Sequence, residues 1–99
     1  MTLPNFPAFE SDALARGFDE VAERQWAPEV VVAEHRHPFA VDALVVHGEM
    51  WLTVGADTRH LRAGDRFTLA RDVLHAERYG PAGATYWAAR RHGPDPAAG

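Results

Sequence analysis

The sequence predicts an all-β domain, a sandwich or closed barrel of short antiparallel strands. Apolar, β-branched and aromatic residues collect in short runs, as in Val30-Val31-Val32 and Val41 to Val46. Gly, Pro and Asp punctuate those runs at intervals of about 8–12 residues, the spacing of an all-β fold. No amphipathic stretch of helical period separates consecutive runs, so no βαβ unit is expected.

In chain order, residues 1–17 form an N-terminal arm. Pro4 and Pro7 stiffen it, and Ser11 or Asp12 could cap a single helical turn ended by Gly17. The barrel proper is expected over residues 18–91. Phe18 to Trp26 is a first strand interrupted by Pro28, and Glu29 to His37 a second stopped by Pro38. Val41 to Val46 is apolar except for Asp42, as in a strand covered on both faces. His47-Gly48-Glu49 is expected to turn the chain into a strand from Met50 to Val54, and Gly55-Ala56-Asp57 to turn it again.

Thr58 to Leu61 and Phe67 to Leu69 are short strands around the turn Ala63-Gly64-Asp65. A polar turn at Arg71-Asp72 leads into two final strands, Leu74 to Tyr79 and Ala84 to Arg91, separated by Gly80-Pro81-Ala82-Gly83. Residues 92–99 are expected to be a flexible tail.

Composition bounds the function. The chain has 99 residues, a formal charge of −4 and no basic run, which disfavours nucleic-acid binding. A domain this small buries a modest share of its surface, so a homodimer is expected. It contains no cysteine, which removes disulfides, thiolate metal sites and cysteine nucleophiles. All ten basic residues are arginine, which removes Schiff-base chemistry. No apolar run approaches a membrane span and MTLPNFPAF lacks the pattern of a secretory signal, so no membrane partner and a cytoplasmic location are expected.

The chemistry concentrates between Glu34 and Tyr79. His35 and His37 stand one residue apart at the end of an apolar run, and alternate residues of a strand share a face. Their imidazoles would therefore enter one space, and His75, from a later strand, could supply a third nitrogen to a metal ion. Glu77 follows His75 by two residues and shares its inward face. A carboxylate there would be a ligand, a proton shuttle or one end of a salt bridge. Tyr79, two further on, is expected to pack in the core or to donate a hydrogen bond to a bound substrate. His47, His60 and His92 fall in turns or the tail and are read as exposed, and the aromatic residues as core or dimer-interface side chains, some of which could line the pocket mouth. Glu34, Arg36 and Arg78 alternate away from the histidines and are expected in cross-strand ion pairs.

At these residues the sequence resembles the small single-domain cupins, a jelly-roll β-barrel family. The first cupin motif pairs H-x-H with a nearby acidic residue and ends in Gly; here it is His35-Arg36-His37 followed at the expected distance by Gly48. The second is Gly-Asp, an apolar run, Pro-x-Gly and His, matched without a gap by Gly64-Asp65 through His75. The resemblance spans roughly residues 20 to 91. Two departures stand out: the family's metal-binding Glu falls on Val41, and Ala70 and Asp72 replace the Pro and Gly of the second motif. Asp42, one residue from Val41, would face the other way unless a bulge near Pro38 turned it inward as a fourth ligand.

The resemblance implies a mononuclear three-histidine site for a divalent metal, Fe(II) before Ni, Cu, Zn or Mn. It also implies a small organic ligand or substrate, with dioxygenase-like chemistry as the first expectation. A non-redox isomerase or lyase, with Glu77 moving the proton, is a second reading. A third is a binding or sensing module without turnover, and a fourth a dimeric scaffold with no metal.

Overall fold

The computed structural model describes residues 3–93. The elements are α1 (Phe6–Ala15), β1 (Glu20–Trp26), β2 (Val31–His35), β3 (Ala40–Val54), β4 (Asp57–Arg62), β5 (Arg66–Leu69) and β6 (His75–Arg91). None of the described helices is long and apolar enough to cross a membrane.

Two long strands make the barrel. β3 and β6 run antiparallel along most of their length, from Ala40↔Arg91 to Thr53↔Ala76. At one end they are flanked by β1, on β6, and β5, on β3; at the other by β2, on β6, and β4, on β3. The sheet thus folds over on itself as a jelly roll, and the inward side chains of both halves form one core. Val41, Ala43, Val45, Met50, Leu52, Leu61, Phe67, Leu69, Tyr79, Ala84, Tyr86 and Ala88 fill it.

The expected turns at residues 47–49 and 80–83 are not turns. Both segments lie inside continuous strands, and they mark the place where the strands cross from one half of the barrel to the other. The register of β3 slips between Val45 and His47 and again between Gly48 and Met50, while β6 inserts residues 80–83 opposite Glu49. Gly and Pro read as turn signals because bulges use the same residues as turns. Gly48 and Gly83 both take the left-handed conformation, with φ of 72° and 70°.

The N-terminal arm also departs from expectation. It is a helix of 10 residues rather than one turn, and Asn5 is its cap, accepting the Ala8 N–H at 2.9 Å. Pro7 sits in the first helical turn, where a missing N–H costs nothing, so it starts the helix instead of breaking it. Gly17, with φ of 94°, ends the element as expected. Phe9 and Ala13 pack with Phe18, Leu44, Trp87 and Ala89 on the outside of the barrel. That contact explains why Val41 to Val46 is apolar on both faces: one face lines the barrel and the other lies under α1.

His92 and Gly93, the described part of the expected tail, are tied down. The His92 N–H donates to Asp19 Oδ2 at 2.5 Å, and its ring meets Glu20 Oε1 at 2.8 Å. Residues 94–99 lie outside the described residues.

Candidate metal centre

The strands deliver the three histidines from two directions. His35 closes β2 and His75 opens β6, and the two are register partners across the sheet. His37 lies past the end of β2, so strand alternation does not place it. The turn at residues 70–73 does, through the Asp72 N–H, which donates to the His37 carbonyl at 2.8 Å. Asp72 stands where the cupin motif has Gly and takes the conformation a glycine would, with φ of 62°. Aspartate tolerates that region because its short side chain can bond locally.

The rings converge. Their centroids are 4.3 Å apart for His35 and His75, 4.7 Å for His35 and His37, and 4.9 Å for His37 and His75. One ring nitrogen from each lies within 4.8 Å of the other two. His35 Nδ1 is 2.8 Å from the Ala33 carbonyl and His75 Nδ1 is 3.0 Å from that of Val73. A carbonyl oxygen can only accept, so each Nδ1 carries the proton and each Nε2 keeps its lone pair. This is the arrangement a metal-ligating histidine requires. Nitrogens bound to one ion at about 2.1 Å lie no more than about 4.2 Å apart. To share a tetrahedral ion the three nitrogens would have to draw together from within 4.8 Å to about 3.4 Å. The donor set fits a divalent first-row ion, and three neutral nitrogens do not select one member of that series.

His37 stacks on Phe39 at 4.7 Å. Burial, then the neighbouring His75 and His35, and more weakly Arg90 and Arg24, lower its pKa from 6.5 to about 4. It is therefore a neutral ligand at neutral pH. In the metal-free protein the same shift links stability to pH. Between about 4 and 6.5 the unfolded chain protonates this residue and the folded chain does not, so acid favours unfolding. Stability present above pH 6.5 is expected to fall steadily toward pH 4. Urea titrations at pH 7 and pH 5 should show a smaller loss in a His37→Gln variant, and equal losses would refute the linkage.

Glu77 is 7% exposed inside the barrel, beside Leu52 of β3. Its Oε1 accepts the Tyr79 hydroxyl at 2.9 Å and is 3.4 Å from that of Tyr86. Its Oε2 lies 4.0 Å from His35 Nε2. Burial first, and then the adjacent Tyr86 and Glu77, push the Tyr79 phenol well above its ordinary pKa; burial and then Glu77 do the same to Tyr86. Both therefore remain protonated and hold one carboxylate oxygen, leaving the other free to face the histidines.

Tyr79 is fully buried, stacked on Trp26 at 4.9 Å, and its hydroxyl is committed to Glu77. The expectation that it would meet a substrate is thus corrected: it positions Glu77. Asp42 does not join the histidines either. It lies on the α1 side of β3, with Oδ2 accepting from Arg16 at 2.9 Å and Oδ1 3.9 Å from Arg66 Nε. No bulge turns it inward, since its register partners Thr68 and Ala89 are in regular ladders, so it is a structural ion pair and not a fourth ligand. Val41 does line the cavity, as the motif position predicts, but brings only a hydrocarbon there.

The cavity holds about 100 Å³ and is lined by the three histidines and Glu77, by the apolar Val32, Phe39, Phe67 and Leu69, and by Tyr86, Trp26, Arg24 and Arg90. Trp26 and Tyr86 are among the aromatics that the sequence leaves open between core and pocket; Arg24 and Arg90 match no motif. A signal existed in their spacing: Arg24 and Trp26, and Tyr86, Ala88 and Arg90, alternate as one strand face. Arg78, expected in an ion pair, instead covers the Trp51 ring at 4.0 Å, and His60 stacks on the same ring while meeting Glu49 at 2.7 Å.

Solved structures share this barrel. An RmlC-like cupin from Shewanella frigidimarina superposes with a TM-score of 0.66 at 21% identity, over 76% of this chain and 67% of that one. A structure reported with the DMSP lyases RdDddP and RnDddQII gives 0.68 at 19% identity, over 78% of this chain and 40% of that one. Oxalate decarboxylase of Bacillus subtilis, described for its Mn(II) centres, gives 0.66 at 17% identity, over 72% of this chain and 20% of that one. A comparison with curated protein sequences finds no match. At these identities the likeness carries the fold. The family description "AraC-like ligand binding domain" matches residues 17–97. With that match and the jelly-roll barrel around three converging histidines, the chain belongs to the AraC-like ligand binding domain family and is a cupin domain.

Proposed function

We propose that this cupin is a mononuclear metalloenzyme of non-redox type, an isomerase or lyase, in which His35, His37 and His75 hold one divalent cation and Glu77 moves a proton on a small organic molecule. The observation that carries this is the placement of Glu77. It is a buried carboxylate with one oxygen held by two tyrosine hydroxyls and the other 4.0 Å from a ligand nitrogen. A cation held by the three histidines would supply a Lewis acid for acidifying a C–H beside a carbonyl or carboxylate. Glu77 Oε2 is then the base within reach, and the tyrosine hydroxyls keep it aimed and stabilise its charge. The apolar Val32, Phe39, Phe67 and Leu69 line the space beside it. The same three nitrogens would serve the oxygen-dependent chemistry expected from the resemblance. A carboxylate fixed beside them is what proton transfer needs, and it puts the non-redox reading first.

The second reading, a ligand-binding module without turnover, draws on the family description and on the apolar Val41 in place of the motif carboxylate. One experiment separates the two. The zinc-loaded protein is incubated in D2O with a panel of small 2-oxo and 2-hydroxy acids, and deuterium incorporation is followed by proton NMR. The enzyme reading predicts exchange in the parent and a loss of about 10²–10⁴-fold in Glu77→Gln, with zinc content unchanged. Equal rates in parent and variant would remove Glu77 from the mechanism. Binding of a panel member by the parent without exchange would leave a binding module.

A further inference from the structure

The cavity holds cationic side chains that neither the fold nor the three-histidine site requires. β1 and β6 pair with Arg24 opposite Tyr86 and Glu20 opposite Arg90, so Arg24, Tyr86 and Arg90 line one inward wall. Arg90 spreads over Phe39 at 4.9 Å and is partly balanced by Glu20 at 3.6 Å, itself shared with His92. Arg24 is different. Its guanidinium covers the Trp26 ring at 5.3 Å, and among the described residues it makes no ion pair or hydrogen bond. Both arginines are close enough to His37 to act on its charge.

An arginine that lines a partly enclosed cavity, stacked flat and lacking a carboxylate, is poised for an anion from outside. Beside it the Trp26 N–H is buried and, although next to the Tyr86 hydroxyl, has no partner at hydrogen-bonding geometry. The lining carries two guanidinium groups and one carboxylate, Glu77; Arg90 shares its charge with Glu20 outside the lining, which leaves Arg24, among the described residues, as the cation without a carboxylate. At about 100 Å³ the space suits a molecule of few carbons.

From this we infer that the cavity selects small dicarboxylates, with Arg24 gripping the carboxylate remote from the histidines and Arg90 assisting from the same wall. Arg24 is thus a specificity residue, and charge rather than shape decides what enters. This deepens the metal-centred reading and rests on it for the cation that meets the other carboxylate.

The test is titration calorimetry of the zinc-loaded protein with malonate and with its neutral counterpart malonamide. Malonate is expected to bind at least tenfold tighter than malonamide. Arg24→Gln should weaken malonate by about 30-fold or more, the loss typical of removing one partner of a sequestered charge pair. Arg24→Lys, which keeps the charge but not the planar fork, should fall between. Zinc content and melting temperature should be unchanged in both variants. Equal malonate binding by parent and Arg24→Gln, or equal binding of malonate and malonamide, overturns the proposal. Should the parent fail to hold zinc, the metal reading fails instead. The titration is then run on metal-free protein, where weaker malonate binding that Arg24→Gln abolishes sustains the proposal. Absent or Arg24-independent binding overturns it there too.

Discussion

Gly48→Ala is expected to lower the melting temperature by roughly 10–30 °C, or to prevent folding, while the same change at Gly55 costs only about 5 °C. Both glycines have positive φ, 72° and 60°, so both substitutions force an L side chain into the left-handed region at about 1 kcal/mol. The difference lies in what a Cβ would meet. At Gly55 nothing lies within 4 Å, whereas at Gly48 a Cβ would stand 2.1 Å from the Gly83 carbonyl oxygen and 2.9 Å from Ala84 Cα. These are backbone atoms, and they belong to the crossing of β3 and β6 on which both halves of the barrel depend.

Moving them adds an overpacking cost of about 1–3 kcal/mol, a large part of the total stability of a small domain. Gly83→Ala should behave like Gly48→Ala, since its Cβ would lie 2.3 Å from the Trp26 carbonyl oxygen. Thermal melts of the three variants check this. A Gly48→Ala protein as stable as Gly55→Ala would mean that the two long strands do not cross at this point.

Much of this architecture was legible in the sequence, and the reason differs from element to element. Val41 to Val46 announced a strand covered twice because burial on both faces leaves no polar alternation, and the barrel and α1 supply those two covers. Gly64-Asp65 through His75 placed its histidine correctly despite two substitutions, since Asp72 can adopt the conformation of the glycine it replaces. The long strands were misread as pairs of short ones. Gly48 and residues 80–83 break local periodicity whether the chain reverses or merely bulges, and only the partner strand decides which. Asp42 was undecidable for a similar reason: its direction depends on whether β3 is regular there, a property of its ladders with β5 and β6. Glu77 followed from simple alternation after His75. Arg24 and Arg90 did not stand out, because an alternating arginine on a half-buried strand looks the same whether it faces solvent or a cavity.

The second large effect concerns the metal. His75 is 2% exposed and anchored by its Nδ1–H to the Val73 carbonyl, which leaves Nε2 for an ion shared with His35 and His37. His75→Ala removes a ligand and leaves a void between β2 and β6. The two remaining imidazoles, His35 and His37, cannot by themselves close a site around one ion. Loss of a supporting hydrogen bond to a ligand typically costs 10–100-fold in affinity, and loss of the ligand itself should exceed that. His47→Ala is the matched control, because His47 is exposed and stands apart from the cluster. The decisive measurement is elemental analysis of these proteins after purification without chelator and dialysis against equimolar zinc. About one zinc per chain is expected in the parent and in His47→Ala, and less than about a tenth of that in His75→Ala, His35→Ala and His37→Ala. Equal zinc in the parent and the three histidine variants, or none in the parent, would contradict a shared ion at this site.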